Sequence, residues 1–232
     1  MSAARYALYY APAVDSPWWR FGAGWLGWDE RRGQALPQPN LPEFPPDEFH
    51  ALTAEPRRYG FHATLKAPFH LRDGVDEALL RSRVTSLAGE LRALPLGELQ
   101  AGVLDGFVAL QAQPRQPAVE ALAAKCVLVL DDLRAPLTEA EILRRQPERL
   151  EPQARVLLQR FGYPWVLGLF RFHLTLSGRV DVVTADLLVE RARRAVQALN
   201  AQHPPRLDRV CLFREDHPGA PFLRVHEEVL QG

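Results

Sequence analysis

The chain of 232 residues carries 28 basic and 28 acidic side chains, so its formal net charge is zero with histidine neutral. That balance argues against a protein that tracks long nucleic-acid backbones, which calls for a basic surface, and leaves room for a small anion held by local arginines. With 47% hydrophobic and 24% charged residues, the composition is that of a soluble globular chain able to bury a core, as one large domain or two lobes. Cys126 and Cys211 sit in apolar segments with no CxxC or metal-ligand spacing. Such thiols suit reduced core positions and a cytoplasmic protein. Met1–Ala13 lacks the long apolar stretch of a leader, and no run approaches the length of a membrane span, so no membrane partner is expected.

Residues 5–11 predict a short aromatic-rich strand stopped by Pro12. Ser16-Pro17 then starts a helix on which Trp18, Phe21, Trp25 and Trp28 recur at helical spacing. This segment plugs a hydrophobic groove, or one or two of its rings line a ligand pocket. Prolines make 34–46 an irregular loop, followed by a helical turn or two over 47–54. A strand over 60–71 is followed by an amphipathic helix from Val75 to Leu94, closed by Pro95. A hairpin turns at Asp105-Gly106, and 118–133 reads as helix, although Val127–Leu130 alone would pass for a strand. Residues 138–161 form one or two charged helices broken near Pro147 and Pro152. A strand over 167–178, a helix from Val183 to Asn200 and a last pair of strands over 207–213 and 222–229 complete the chain.

Two of these strands carry the same pattern, Phe61-His62-Ala63-Thr64-Leu65 and Phe172-His173-Leu174-Thr175-Leu176. Side chains alternate across a strand, so His62, Thr64 and Lys66 share one face, and Arg171, His173, Thr175 and Ser177 share another. Each motif strand is followed by an amphipathic helix and a hairpin, an internal duplication of architecture. The expected fold is α+β, two antiparallel sheets facing each other across a cleft with helices outside and the motif strands near a pseudo-twofold axis. Two histidines on opposite walls can share acid–base work, one taking a proton from an attacking hydroxyl and the other giving one to the leaving oxygen. The threonine hydroxyls, Lys66 and Arg171 would hold phosphate oxygens. No acidic cluster accompanies them, so no metal and no cofactor is expected. The bland alternative is a pair of buried histidines kept for packing. His50, His70, His203, His217 and His226 lack a mate and are expected at the surface, His70 alone sharing the strand parity of His62.

The paired motifs resemble those of the two-histidine (2H) phosphoesterase superfamily. The opening strand, the segment Trp19-Arg20-Phe21-Gly22 and the stretch from Arg57 to Phe69 resemble its branch associated with phosphonate-metabolism operons. That resemblance implies a bilobal fold and metal-independent cleavage of a cyclic phosphodiester in a small phosphorylated substrate, a ribosyl cyclic phosphate of phosphonate catabolism in that branch. It implies His62 and His173 as the acid–base pair, with Thr64 and Thr175 binding phosphate oxygens. Tyr9, Arg58, Ser177 and Trp25 are further candidates for lining the pocket. The expected layout is a single bilobal domain: an N-terminal strand and Trp-rich segment (5–29), a first-motif lobe (58–134), a helical insert (138–161) and a second-motif lobe (165–232). The loop 30–57 and the insert would cap the cleft or serve structure alone. Rival functions are a non-catalytic module binding nucleotides or RNA ends, and an RNA-processing 2′,3′-cyclic phosphodiesterase.

Overall fold

The computed structural model describes residues 4–232. Strand β1 (Arg5–Tyr10) leads into α1 (Pro17–Leu26). Ser16 starts this helix by accepting the Trp19 N–H on its hydroxyl, and Gly27 ends it at φ 73°. The short pair β2 (Trp28–Asp29) and β3 (Gln34–Ala35), then α2 (Pro46–Leu52) and α3 (Ala54–Arg57), bring the chain to β4 (Ala63–His70). Helix α4 (Glu77–Gly89), capped by Asp76, precedes β5 (Leu94–Pro95) and the hairpin β6 (Glu98–Leu104) and β7 (Phe107–Gln113). Asp105 and Gly106 at its tip both have positive φ, the requirement of a two-residue turn that matches strand twist. After α5 (Pro117–Val129) come α6 (Glu139–Arg144), α7 (Pro152–Phe161), β8 (His173–Arg179), α8 (Val182–Gln202), β9 (Arg206–Leu207), β10 (Arg209–Glu215) and β11 (Leu223–Val229).

The molecule is a mixed α+β fold with antiparallel sheets, ordered β11-β10-β1-β4 and β6-β7-β8, plus two minor two-stranded pairs. Neither motif strand shares a sheet with the hairpin of its own half. The hairpin that follows the first motif, β6-β7, receives β8, the second motif strand; the hairpin that follows the second motif, β10-β11, reaches β4 through β1. The two halves exchange hairpins, so the expected lobes at 58–134 and 165–232 do not coincide with the two sheets. Helix α8 packs on β6 and β7, α4 on β10 and β11, and α5 on β4, while β4 and β8 lie against each other. One continuous apolar cluster runs through both sheets, from Leu8 and Leu65 to Leu110, Leu174 and Val196.

One strand boundary shifts. The strand expected over 167–178 begins only at His173, because Leu167–Leu169 closes into a 3-10 turn. Val127-Leu128-Val129 ends helix α5, in line with the helical pattern of 118–133 and against the local β-branched preference, because tertiary packing outweighs it. Both cysteines are free and buried, and burial pushes the Cys126 thiol up to about 12 and Cys211 up to about 11. No helix among the described residues is long and apolar enough to cross a membrane.

Candidate active site

His62 stands one residue before β4, positioned from both sides. Phe61 is fully buried, and its ring rests on Gly22 of α1 so closely that a Cβ there would lie 2.0 Å from it. On the other side Gly60, at φ 74°, turns its carbonyl to accept the His62 Nδ1–H at 2.9 Å. A carbonyl only accepts, so Nδ1 carries the proton and Nε2 keeps its lone pair, 3.3 Å from the Thr64 hydroxyl. Tyr9, paired with Thr64 across β1, stacks on the imidazole at 3.9 Å between centroids. His173 repeats the device. Its Nδ1–H donates to the carbonyl of Arg171, again two residues back, at 2.8 Å, and Phe107 backs the ring at 5.7 Å.

The surroundings desolvate both rings. His62 is lowered to about 4, by burial first and also by the charge His173 would carry, so the two rings sense each other. Burial lowers His173 as well. Both imidazoles are therefore neutral at pH 7 in the free protein. Among the described residues no group of three or more histidine, cysteine, aspartate or glutamate side chains is arranged to hold a metal ion.

The cleft holds a cavity of about 510 Å³ lined by Tyr9, His62 and Thr64 on one wall and by Phe107, Thr175 and Ser177 on the other. His173 lines an adjoining branch of about 230 Å³, which shares Thr64, Phe107 and Tyr163 with the first. His62, Thr64, His173 and Thr175 are thus brought to one connected cleft.

Other sequence candidates fall elsewhere. Lys66 turns away from the cleft. Its Nζ is buried against α5, 3.0 Å from Asp131, because register shifts between β1 and β4 insert extra residues between Thr64 and Phe69 and reverse the alternation. Ala67 lines the cleft in its place. The Arg171 guanidinium pairs with Asp105 at the mouth of the His173 branch, and its carbonyl holds the histidine. Ser177 reaches the cavity wall, but its hydroxyl is committed, accepting from the Val108 N–H at 2.9 Å and donating to the Gly178 carbonyl at 2.8 Å. Trp25 is core: its ring packs edge-on to Phe49 and its N–H donates to the Leu176 carbonyl at 2.9 Å. Arg58 lies outside the cavity lining, paired with Glu215 and stacked over Tyr59, which does line it. His70 lies outside the cleft, its Nδ1 on the Ala4 carbonyl and its Nε2 3.6 Å from Glu141.

Arg5, Glu55, Arg145, Tyr163 and Arg179 line the cavity without having been singled out. Arg179 was within reach, since it continues the alternation through Thr175 and Ser177. Arg145 lies within the helical insert and Tyr163 just after it, and no local pattern aims them at a motif two strands away. Glu55 belongs to the loop 30–57, so both long insertions reach the cleft.

A family model described as "Protein of unknown function (DUF1045)" matches residues 64–223, which include Thr64, His173 and Thr175. The chain belongs to this family. Two curated relatives, each named ribose 1,5-bisphosphate phosphokinase PhnN, resemble it: one from Janthinobacterium sp., 40% identical over 96% of this chain, and one from Laribacter hongkongensis, 35% identical over 94%. In both, the match takes in 50% of the relative, so this DUF1045 chain spans about half the length of the curated relatives it matches. A crystal structure of E. coli LigT complexed with NADP+ aligns over 100% of both chains at 14% identity and a TM-score of 0.38.

The contact between Phe61 and Gly22 gives a direct check on how the first histidine is held. Gly22→Ala should overpack the interface by about 1–3 kcal/mol. Gly24→Ala, whose Cβ would meet nothing within 4 Å, should be neutral or stabilising. Thermal denaturation of both variants separates them. Equal melting temperatures would remove Gly22 from the support of His62.

Proposed function

We propose that this DUF1045 protein is a two-histidine cyclic phosphodiesterase that opens a cyclic phosphate on a small phosphorylated sugar. One observation carries it. Two imidazoles, each pinned through Nδ1 to the carbonyl two residues back, sit in one connected cleft with a threonine two residues on. With Nδ1 protonated, each Nε2 is free to take a proton when neutral or to give one as imidazolium. In the step this supports, one Nε2 takes a proton from water as its oxygen bonds to phosphorus. The other imidazolium protonates the departing sugar oxygen as the P–O bond breaks, leaving a phosphomonoester. Thr64 and Thr175 donate to the non-bridging oxygens, and Arg179 offsets the developing charge. Every proton passes through the histidines, and no step is assigned to a metal.

The cavity volume fits small ligands, whose sites span about 300–1,000 Å³. Glu55 and Arg145 from the two insertions, with Tyr163 just beyond the second, crowd it, which favours a sugar phosphate over an RNA end. The curated relatives are named for a ribose bisphosphate, so a ribose cyclic phosphate, which opens to a ribose phosphate monoester, is the substrate class we propose. Purified protein incubated in EDTA with ribose cyclic phosphates, nucleoside 2′,3′-cyclic phosphates and RNA ending in a cyclic phosphate should open the ribose compounds fastest, followed by phosphorus NMR. Binding of these compounds with no turnover of any would make the cleft a phosphate receptor and end the catalytic assignment.

A further inference from the structure

The cations of the cleft divide into two groups. Arg179 belongs to the wall that carries Thr175. Arg5 and Arg145 stand at another end. Both line the main cavity and also the small recess beside it that is bordered by Pro68, His70 and Tyr163. Arg5 sits four residues from Tyr9 on β1, opposite His70, whereas Tyr9 is opposite Thr64. Along a strand that is ~13 Å, part of which the arginine side chains span back toward His62. This end is therefore too far to serve the oxygens held beside Thr64, and near enough for another group of the same small substrate.

Its charge is unbalanced. Glu215 alone faces two guanidiniums, Arg5 and Arg58. Arg145 has no ion-pair partner among the described residues and lies over the Tyr163 ring at 5.4 Å. Glu141, one turn earlier on α6, is committed to the Thr138 cap at 2.9 Å and to His70. Burial works most strongly against the Arg145 cation, Tyr163 and Glu141 offset part of this from beyond ion-pair distance, and Arg5 and Arg144 add to it. A desolvated guanidinium without a counter-charge is costly, and the cost is recovered when a ligand supplies the anion.

We infer that Arg145 and Arg5 form a second anion subsite, which takes a phosphomonoester carried by the same substrate whose cyclic phosphate meets the histidines. This rests on the cyclic phosphodiesterase assignment above and narrows it to sugars that carry a cyclic diester and a separate monoester. Two guanidiniums lining one end of the cleft, Arg145 among them without an ion pair, suit a dianion, and the planar fork of arginine suits phosphate oxygens.

Ribose 5-phosphate is the probe, titrated calorimetrically into wild type, Arg145→Gln, Arg145→Lys and His62→Gln. Arg145→Gln should weaken binding by at least about tenfold, the scale of one charge-assisted contact, with partial recovery in Arg145→Lys and continued binding in His62→Gln. In turnover, the preference for a ribose cyclic phosphate bearing a 5-phosphate over one without it should fall by a similar factor in Arg145→Gln. Equal affinity in wild type and Arg145→Gln, or no binding of ribose 5-phosphate to wild type, overturns the subsite. Absence of turnover with Arg145-dependent binding intact leaves the subsite standing and sinks the phosphodiesterase instead.

Discussion

His62→Gln and His173→Gln should each lower kcat toward a ribose cyclic phosphate by about 10²–10⁴-fold, the range of a single acid–base group. The double variant should fall little further than the worse single one, because two groups that act in one proton relay are not additive. Glutamine keeps a side-chain N–H near the Gly60 and Arg171 carbonyls, so folding should survive, and a circular dichroism melt checks this. The pH dependence follows from the environment. The relay needs one neutral and one protonated imidazole. His62 is lowered to about 4, and His173 is lowered from its ordinary 6.5. As pH rises above the upper of these two apparent values, the protonated partner is lost. As it falls below the lower one, the base is lost. The kcat/KM profile, which reports the free protein, should therefore peak between about 4 and 6.5 and decline through neutrality. A profile still rising at pH 8, or full activity in the double variant, would remove the histidines from the chemistry.

The second large effect is on stability. Glu30 and Arg224 form an ion pair whose side chains are both fully buried. It ties three parts of the fold together: Glu30 accepts the Trp19 indole N–H from α1 at 2.9 Å, Arg224 on β11 donates to the Pro12 carbonyl at 3.0 Å, and the Arg224 N–H meets the Glu30 carbonyl at 2.9 Å. Glu30 also packs under Gly60, the residue that holds the His62 ring. Arg224→Met strands a carboxylate in the core and should cost about 3–5 kcal/mol. In a chain of this size that lowers the melting temperature by about 10 °C. Glu30→Leu with Arg224→Met should recover much of the loss, since two apolar side chains can replace a buried pair once neither charge is left alone. A single variant that melts within about 2 °C of wild type would show that water reaches the pair.

Much of the local structure was legible because it depends on neighbours in the chain. Ser16-Pro17 starts α1 and Asp105-Gly106 turns the β6–β7 hairpin, each through backbone geometry that a few residues control. The failures share one cause. Lys66 was placed beside His62 by strict alternation, and register shifts between β1 and β4 turned it into the core toward Asp131. Trp25 offered a ring for the pocket, but Phe49 and the Leu176 carbonyl claim it. Arg58 sat beside the motif and is held by Glu215 instead. Each was decided by a partner distant in the sequence.

By itself the sequence determined the α+β class, the recurrence of the motif and its candidate histidine and threonine side chains, because these follow from residue type and period-two spacing. Only the tertiary structure decided that the halves exchange hairpins, that Gly60 and Arg171 set both tautomers, and that Arg5, Arg145 and Tyr163 close around the cleft. Strand order, register and burial are settled by contacts between segments far apart in the chain, and local periodicity carries no record of them.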